Sequence, residues 1–163
     1  SPANARVMAA AIADELSQLD DGNADRYAAN LDQFNAQLDE VETEIGVIVE
    51  PVRGRPFIVF HDAYHYFEDH FDIEAAGAVH VTPDVPPSAA RVAEIRERIV
   101  AADAVCVFAE PQFEPRLVQT LIEGTKARSG VLDPLGSDIA LGPNAYPEIL
   151  LQLARSLDDC LAG

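Results

Sequence analysis

Hydrophobic side chains recur at two different spacings along this chain of 163 residues, and the change falls near residue 51. Before that point, apolar residues recur at helical intervals. After it, short apolar runs alternate with amphipathic stretches, which is typical of strands and helices that follow one another. The pattern therefore predicts a helical segment over residues 1–50 and an α/β lobe over residues 51–163.

The helical segment is predicted to hold two helices. Ser1 followed by Pro2 is typical of a helix start, since serine caps the first turn and proline fits its first position. The polar residues 20–23 break that helix. The second helix has apolar positions that step alternately by four and three residues: Tyr27, Leu31, Phe34, Leu38, Val41, Ile45 and Ile48. This 3.5-residue period predicts a long helix with a narrow apolar seam, either in a short coiled coil or lying along a domain.

The second region is predicted to alternate strands and helices. Strands are predicted over 57–60, 73–81, 104–108 and 129–132, and helices over 63–70, 88–99, 115–123 and 146–161. Strands that alternate with helices pair in parallel through right-handed crossovers. We therefore expect an α/β fold, a four-stranded parallel sheet flanked by helices and preceded by the long helix.

Charge and composition narrow the functional classes. The 11 Lys and Arg residues against 28 Asp and Glu residues give a formal net charge of −17. An acidic surface repels nucleic acid and anionic membranes, so neither is expected as a partner. Hydrophobic residues make up 48% of the chain, which predicts a folded core. No apolar run reaches the roughly 20 residues that a membrane-spanning helix needs.

Candidate chemistry lies where polar residues follow predicted strands. His61, Glu110 and Asp133 each come directly after a strand or within two residues of its end. The carboxyl ends of parallel strands share one edge of the sheet, where ligands bind. A histidine with carboxylates could hold a divalent metal ion or form a general-base pair. Alternatively, polar residues at strand ends often cap the next helix, as Asp62 and Asp133 could both do.

The other histidines have weaker claims to a role. His65 lies four residues after His61, but the spacing lacks the HExxH pattern of metalloproteases. His65 and His70 are expected to be solvated, and His80 is expected to be a surface or structural residue before the loop 82–87. The chain also lacks a GxSxG nucleophile motif and a GxxxxGK[ST] phosphate loop.

Two cysteines, Cys106 and Cys160, allow one disulfide. Their spacing fits neither a zinc knuckle nor a CxxC redox motif. The number of cysteines alone is compatible with two interpretations. The residues are either two buried thiols in a reducing compartment or one disulfide in an oxidising compartment.

Three motifs carry a resemblance to a known family. FHDAYHYF at 60–67, CVFAEPQF at 106–113 and LDPLG at 132–136 occur in the order found in the ZnuA-type zinc-binding proteins of bacterial ABC uptake systems. The segment 144–160, which ends in cysteine, is similar to the last helix of that family. The resemblance covers essentially the whole chain.

The resemblance implies a fold and a function. Family members are two-lobed periplasmic proteins that bind zinc with high affinity and deliver it to an ABC permease, so zinc is cargo and no catalytic residues are expected. His61 matches the histidine ligand of the second lobe, and Asp133 matches an acid that binds metal in manganese-binding relatives. Glu110 is assigned to structuring the cleft edge. Cys106 and Cys160 match a disulfide pair of the zinc branch.

The resemblance also implies that the chain is the second lobe of such a protein with its long connecting helix. The first lobe, with its own histidine ligands, would lie outside this sequence. Because zinc sites need about four ligands, the isolated lobe is expected to bind zinc weakly or to dimerise. Two rival hypotheses remain from the residues alone. One is a small α/β hydrolase or isomerase that uses His61 with Glu110 or Asp133, and the other is a structural interaction module.

Overall fold

The computed structural model describes residues 1–80, 88–113 and 116–163. The chain divides into two compact units, residues 1–44 and residues 45–163. The division falls inside the long helix, so the last turn of that helix belongs to the second unit. The predicted loop at 82–87 and the predicted helix start at residue 115 lie outside the described residues.

The first unit consists of helices, as the sequence predicts. Helix α1 is Pro2–Leu19, and a short 3-10 turn at Asp21–Asn23 separates it from α2, Ala24–Val49. The Ser1 hydroxyl accepts a hydrogen bond from the Asn4 backbone N–H at 3.1 Å, which confirms the predicted cap. The predicted apolar seam of α2 is its least exposed face, with Leu38 and Ile45 fully buried.

An arginine joins the two helices of this unit. Arg6 of α1 donates to the backbone oxygen of Asn35 at 2.8 Å and to the Asp39 carboxylate at 2.7 Å, and it also pairs with Glu42. Ion pairs near a protein surface contribute little each. Their main effect is to fix the position of α1 against α2, because one guanidinium bonds three positions on α2.

The second unit contains a four-stranded sheet in which every pair of neighbours is parallel. Its strands are β1 Phe57–His61, β2 Gly77–His80, β3 Cys106–Ala109 and β4 Arg128–Val131, in the order β2-β1-β3-β4. Four helices connect or follow them: α3 His65–Phe71, α4 Ala89–Ala101, α5 Arg116–Ile122 and α6 Ala145–Leu161. The predicted α/β class and parallel pairing are confirmed.

The two faces of the sheet are covered by different helices, because successive strand side chains point to opposite faces. Ile58 and Phe60 lie in one apolar cluster with side chains of α4 and α5. Phe57 lies on the other side, where Leu153 and Leu157 of α6 line the same small apolar space. Burial on both faces explains why β1 is a continuous apolar run and does not alternate with polar residues.

Element boundaries differ from the predictions in two places. The helix predicted from residue 63 begins at His65, because the Ala63 N–H bonds the His61 oxygen and forms a turn directly after β1. The strand predicted over 73–81 begins only at Gly77 and is described as Gly77–His80, while residue 81 lies outside the described residues. The apolar residues before Gly77 made the predicted strand too long. In the structure, the pairing of β2 with β1 begins where Gly77 lies opposite Ile58.

A disulfide ties β3 to α6 through Cys106 and Cys160, the pairing that the family resemblance implies. The helix packs closely on the neighbouring strand. A Cβ atom on Gly130 of β4 would lie 2.5 Å from the Phe108 ring and 3.1 Å from the Cys160 sulfur. Glycine is therefore required at this position by space.

No helix in the described part of the chain combines the length and apolar character needed to cross a membrane.

Candidate metal site

The first two site residues predicted from the sequence meet at the carboxyl edge of the sheet. β1 and β3 pair with Phe57 opposite Cys106 and Ile58 opposite Val107, and the same offset brings Glu110 opposite His61. The His61 Nδ1 and Glu110 Oε1 atoms lie 2.7 Å apart. This distance is that of a strong hydrogen bond between an imidazole and a carboxylate.

This hydrogen bond determines which ring nitrogen of His61 is free. A carboxylate only accepts, so Nδ1 carries the proton that Glu110 receives. The other nitrogen, Nε2, then has its lone pair available, which is the arrangement found when histidine binds metals. The His61 side chain is 26% exposed, so the imidazole is in part open to solvent. The Phe113 ring packs edge-on against the imidazole at 6.2 Å between centroids.

A tyrosine completes this group, and the sequence analysis did not single it out. Tyr64 is buried, and its hydroxyl donates to Glu110 Oε1 at 3.1 Å and lies 3.4 Å from the Leu132 oxygen. Burial, followed by the neighbouring Glu110 carboxylate, raises the pKa of Tyr64 well above its usual value. The hydroxyl therefore stays protonated and acts as a donor. Its only signal in the sequence is its place in the FHDAY segment, three residues after His61.

Asp133 is held in a separate network. Its Oδ1 accepts from Gln112 Nε2 at 2.8 Å and from the Leu135 N–H at 3.0 Å, and its Oδ2 accepts from the Ser137 N–H. Burial opposes ionisation, but the hydrogen bonds from Gln112, Ser137 and Leu135 outweigh it and lower the pKa of Asp133. The Ser137 hydroxyl contributes as well, so four hydrogen bonds match the roughly four lone-pair directions of the carboxylate. Asp133 thereby anchors the turn after β4.

His65 and His70 make their own contacts on α3. The His65 ring nitrogen is 3.4 Å from Asp69 in an exposed pair on α3, and the His70 ring packs against Phe71. The Cα of His80 is the register partner of the His61 Cα on β2. Within residues 1–80, 88–113 and 116–163, no three or more His, Cys, Asp or Glu side chains are grouped to hold a metal ion.

A buried glutamate lies one helical turn beyond Tyr64. Glu68 is only 8% exposed, and its Oε1 has no hydrogen-bond partner among the described residues. Burial, and then the negative charge of Asp62, raises the pKa of Glu68, although the Ala75 N–H opposes this shift. A carboxyl group with a raised folded-state pKa binds protons more tightly in the folded state. Stability therefore falls as the pH rises from the unfolded to the folded pKa.

We expect Glu68→Gln to raise the free energy of unfolding by about 1 kcal/mol at pH 7, because the variant no longer buries a charge with an unpartnered oxygen. The gain should vanish below the unfolded pKa of about 4.3, where wild-type Glu68 is protonated too. Urea denaturation at pH 7 and pH 4 measures both values. Glu97→Gln, on an exposed position of α4, is the matched control and should change little. An equal gain at both pH values would contradict the prediction.

The amino-acid sequence is similar to one protein family over nearly its whole length. The profile of the ZnuA family, described as "Zinc-uptake complex component A periplasmic", matches residues 1–160. The chain is 47% identical over 161 residues to the high-affinity zinc uptake system protein ZnuA of Brucella suis, covering 99% of this chain and 48% of that protein. It is 45% identical over 161 residues to the Yersinia pestis protein of the same name, covering 99% of this chain and 51% of that protein.

The fold agrees with a solved structure. A crystal structure of ZnuA superposes with a TM-score of 0.84 at 29% identity, covering 99% of this chain and 58% of that one. The chain therefore spans about half the length of the relatives it matches.

Proposed function

Because the chain belongs to the ZnuA family of periplasmic zinc-uptake components, we propose that it forms the C-terminal lobe of a protein that captures zinc with high affinity. The loaded protein would work in the periplasm and pass zinc to the membrane permease of an ABC transporter. Zinc is the cargo in this proposal, so the protein needs binding and release but no chemical step. The relatives that carry the zinc-uptake name are longer than this chain, and the activity belongs to that longer protein.

The observation that carries the proposal is the 2.7 Å hydrogen bond between His61 Nδ1 and Glu110 Oε1. It leaves Nε2 of His61 as a ligand for zinc, a metal that imidazole suits. Glu110 is 97% buried, so its own position is fixed by packing. Partners of this kind orient a ligating histidine and raise its basicity.

Asp133 is proposed as the second ligand of this lobe. Its turn-anchoring hydrogen bonds hold the carboxylate in place and keep it ionised. A bound zinc ion would take the place of one of these hydrogen bonds. Together His61 and Asp133 supply two of the about four ligands that zinc needs. The others would come from a first lobe outside this sequence.

Helix α1 offers a surface that such a lobe could cover. Val7, Met8, Ile12 and Leu19 are 71%, 60%, 59% and 75% exposed. Met8, Ile12 and Leu19 lie on one helical face by their spacing of four and seven residues. An apolar stripe of this kind normally packs against another surface. We propose the first lobe as its occupant, with a second copy of the chain as the alternative in isolation.

The same histidine–carboxylate contact would also suit general-base catalysis, so a hydrolase or isomerase is the second candidate. Zinc titration separates the two. We expect metal-free chain to bind one zinc ion per chain at neutral pH, or one per two chains if it dimerises. Calorimetry measures the stoichiometry, and ¹⁵N spectra of the histidine rings locate the ion. The absence both of heat and of any His61 ring shift at millimolar zinc would contradict the metal-binding proposal.

A further inference from the structure

Tyr64 holds a position from which it reaches three elements. It lies between β1 and α3, directly before His65, and its side chain is 4% exposed. Its hydroxyl donates to Glu110, which follows β3, and approaches the backbone oxygen of Leu132, which follows β4. One buried hydroxyl thus connects the carboxyl ends of the three strands around the candidate site.

The hydroxyl and His61 share one acceptor atom. Glu110 Oε1 accepts a hydrogen bond from His61 Nδ1–H at 2.7 Å and a second from the Tyr64 hydroxyl at 3.1 Å. Within the described residues, these are the hydrogen bonds that reach the Glu110 carboxylate from other side chains. A buried carboxylate needs donors to remain in one orientation. Removing one of two donors therefore loosens the group that orients His61.

We propose that Tyr64 is a positioning residue for metal capture, acting through Glu110 to keep His61 protonated on Nδ1 and open on Nε2. The role in metal capture rests on the proposed function. The hydrogen-bond relay itself rests only on the distances among Tyr64, Glu110 and His61. The relay can therefore be tested in the metal-free chain, whether or not zinc is the cargo.

The Tyr64 ring is packed in the apolar interior, so only its hydroxyl makes polar contacts. Its neighbours include the aromatic and aliphatic side chains of Phe57, Phe67 and Leu153 around one small apolar space. A phenylalanine would fill this space equally well. The hydroxyl contributes only its two polar contacts. Tyr64→Phe therefore removes the relay and leaves the packing in place.

The test is the tautomer of His61 in the metal-free chain. Long-range ¹H–¹⁵N spectra of histidine-labelled protein at pH 8 distinguish an Nδ1-protonated ring from an Nε2-protonated ring. We expect the wild type to show the Nδ1-protonated pattern for His61. Tyr64→Phe should lose that pattern in part or in full. Tyr66→Phe, two residues away and 66% exposed, is the matched control and should keep it.

One further variant makes every outcome decisive. 4-Aminophenylalanine at position 64 restores a donor at the same place and should restore the wild-type His61 pattern. If Tyr64→Phe does not fold, the aminophenylalanine chain alone carries the test. An Nε2-protonated His61 in that chain, or an unchanged His61 pattern in folded Tyr64→Phe, would overturn the proposal.

Zinc affinity provides a second readout that separates this proposal from the function itself. Partners that orient a metal-binding histidine typically change affinity by 10–100-fold. Because Tyr64 acts one step further away, we expect Tyr64→Phe to weaken zinc binding by up to about tenfold, and Glu110→Gln by more. A chain that binds no zinc but shows the predicted tautomer change would contradict the proposed function and leave the relay intact.

Discussion

Replacing His61 with alanine is expected to abolish zinc binding by this chain. The structure orients the His61 imidazole with a buried carboxylate on Nδ1, which leaves the Nε2 lone pair for a metal. Without it, the proposed site keeps only Asp133, whose lone-pair directions are already used by hydrogen bonds. A single carboxylate does not retain zinc. Calorimetry with zinc at neutral pH should show no saturable binding.

The alanine variant also removes a donor from Glu110. A buried acceptor without its partner costs about 1–3 kcal/mol, so His61→Ala should be less stable as well. His61→Gln separates the two effects, because its amide can donate to Glu110 but does not offer the imidazole lone pair. We expect His61→Gln to recover part of the lost stability and none of the zinc binding.

His65→Ala is the matched control for these variants. His65 lies four residues after His61 and pairs with Asp69 on the exposed face of α3. We expect its removal to leave the zinc isotherm unchanged. If zinc binding survives in His61→Ala, or is lost in His65→Ala, the metal is bound elsewhere and the assignment of His61 is wrong.

The order of elements was predictable because each one has a local cause. The seam of α2 comes from a repeat within one helix, and β1 comes from an apolar run covered on both faces. The start of α4 follows from the Ser88 hydroxyl, which accepts a hydrogen bond from the Arg91 N–H as a helix cap. The bounds of short elements were predicted less accurately. β2 has four residues, and its start depends on pairing with β1, which no local pattern records.

The site was predictable only in part for the same reason. His61 and Glu110 follow strands, so the rule that parallel strands share a carboxyl edge places both near one another. Their direct hydrogen bond depends on the offset between β1 and β3, which is set by tertiary packing. Tyr64 was missed because an aromatic residue next to an apolar run looks like core. Its function depends on a single hydroxyl that the hydrophobic pattern does not distinguish from phenylalanine.

Asp133 shows the opposite case. Its place after β4 predicted a ligand or a cap, and the sequence offered no way to choose between them. Its hydrogen bonds come from Gln112, Leu135 and Ser137 and anchor the turn after β4. The next described helix, α6, has Asn144 as its N-cap residue, so the expectation that Asp133 caps it is wrong. A ligand role remains a prediction. The ligand role depends on whether zinc can replace one of these hydrogen bonds, which residue type and spacing cannot specify.

Removing the disulfide is expected to destabilise the second unit strongly. Cys106 and Cys160 are separated by 54 positions in the sequence. A cross-link over a loop of this length restricts the unfolded chain, and the chain-entropy relation gives about 4 kcal/mol for it. Cys106→Ala with Cys160→Ala should therefore lower the free energy of unfolding by roughly 2–5 kcal/mol. Urea denaturation with and without reductant measures the change.

Reductant provides the internal control for this experiment. The wild type should lose stability when reduced, while the double variant should be insensitive to reductant because it has no remaining cysteine. Equal denaturation midpoints for the oxidised wild type and the double variant would contradict the prediction. A single Cys160→Ala variant should resemble the reduced wild type, since either substitution removes the bridge.

The disulfide and the candidate metal site lie at opposite ends of β3. Cys106 is the first residue of that strand, and Glu110 follows its last residue, so about 13 Å of extended chain separates them. The bridge fixes α6 against β3 and β4, whereas His61 is oriented by Glu110 and Tyr64 at the other edge. We therefore expect the folded double variant to keep the His61 tautomer of the wild type under conditions where it remains native. Loss of that tautomer in a folded double variant would show that the α6 anchor and the metal site are coupled.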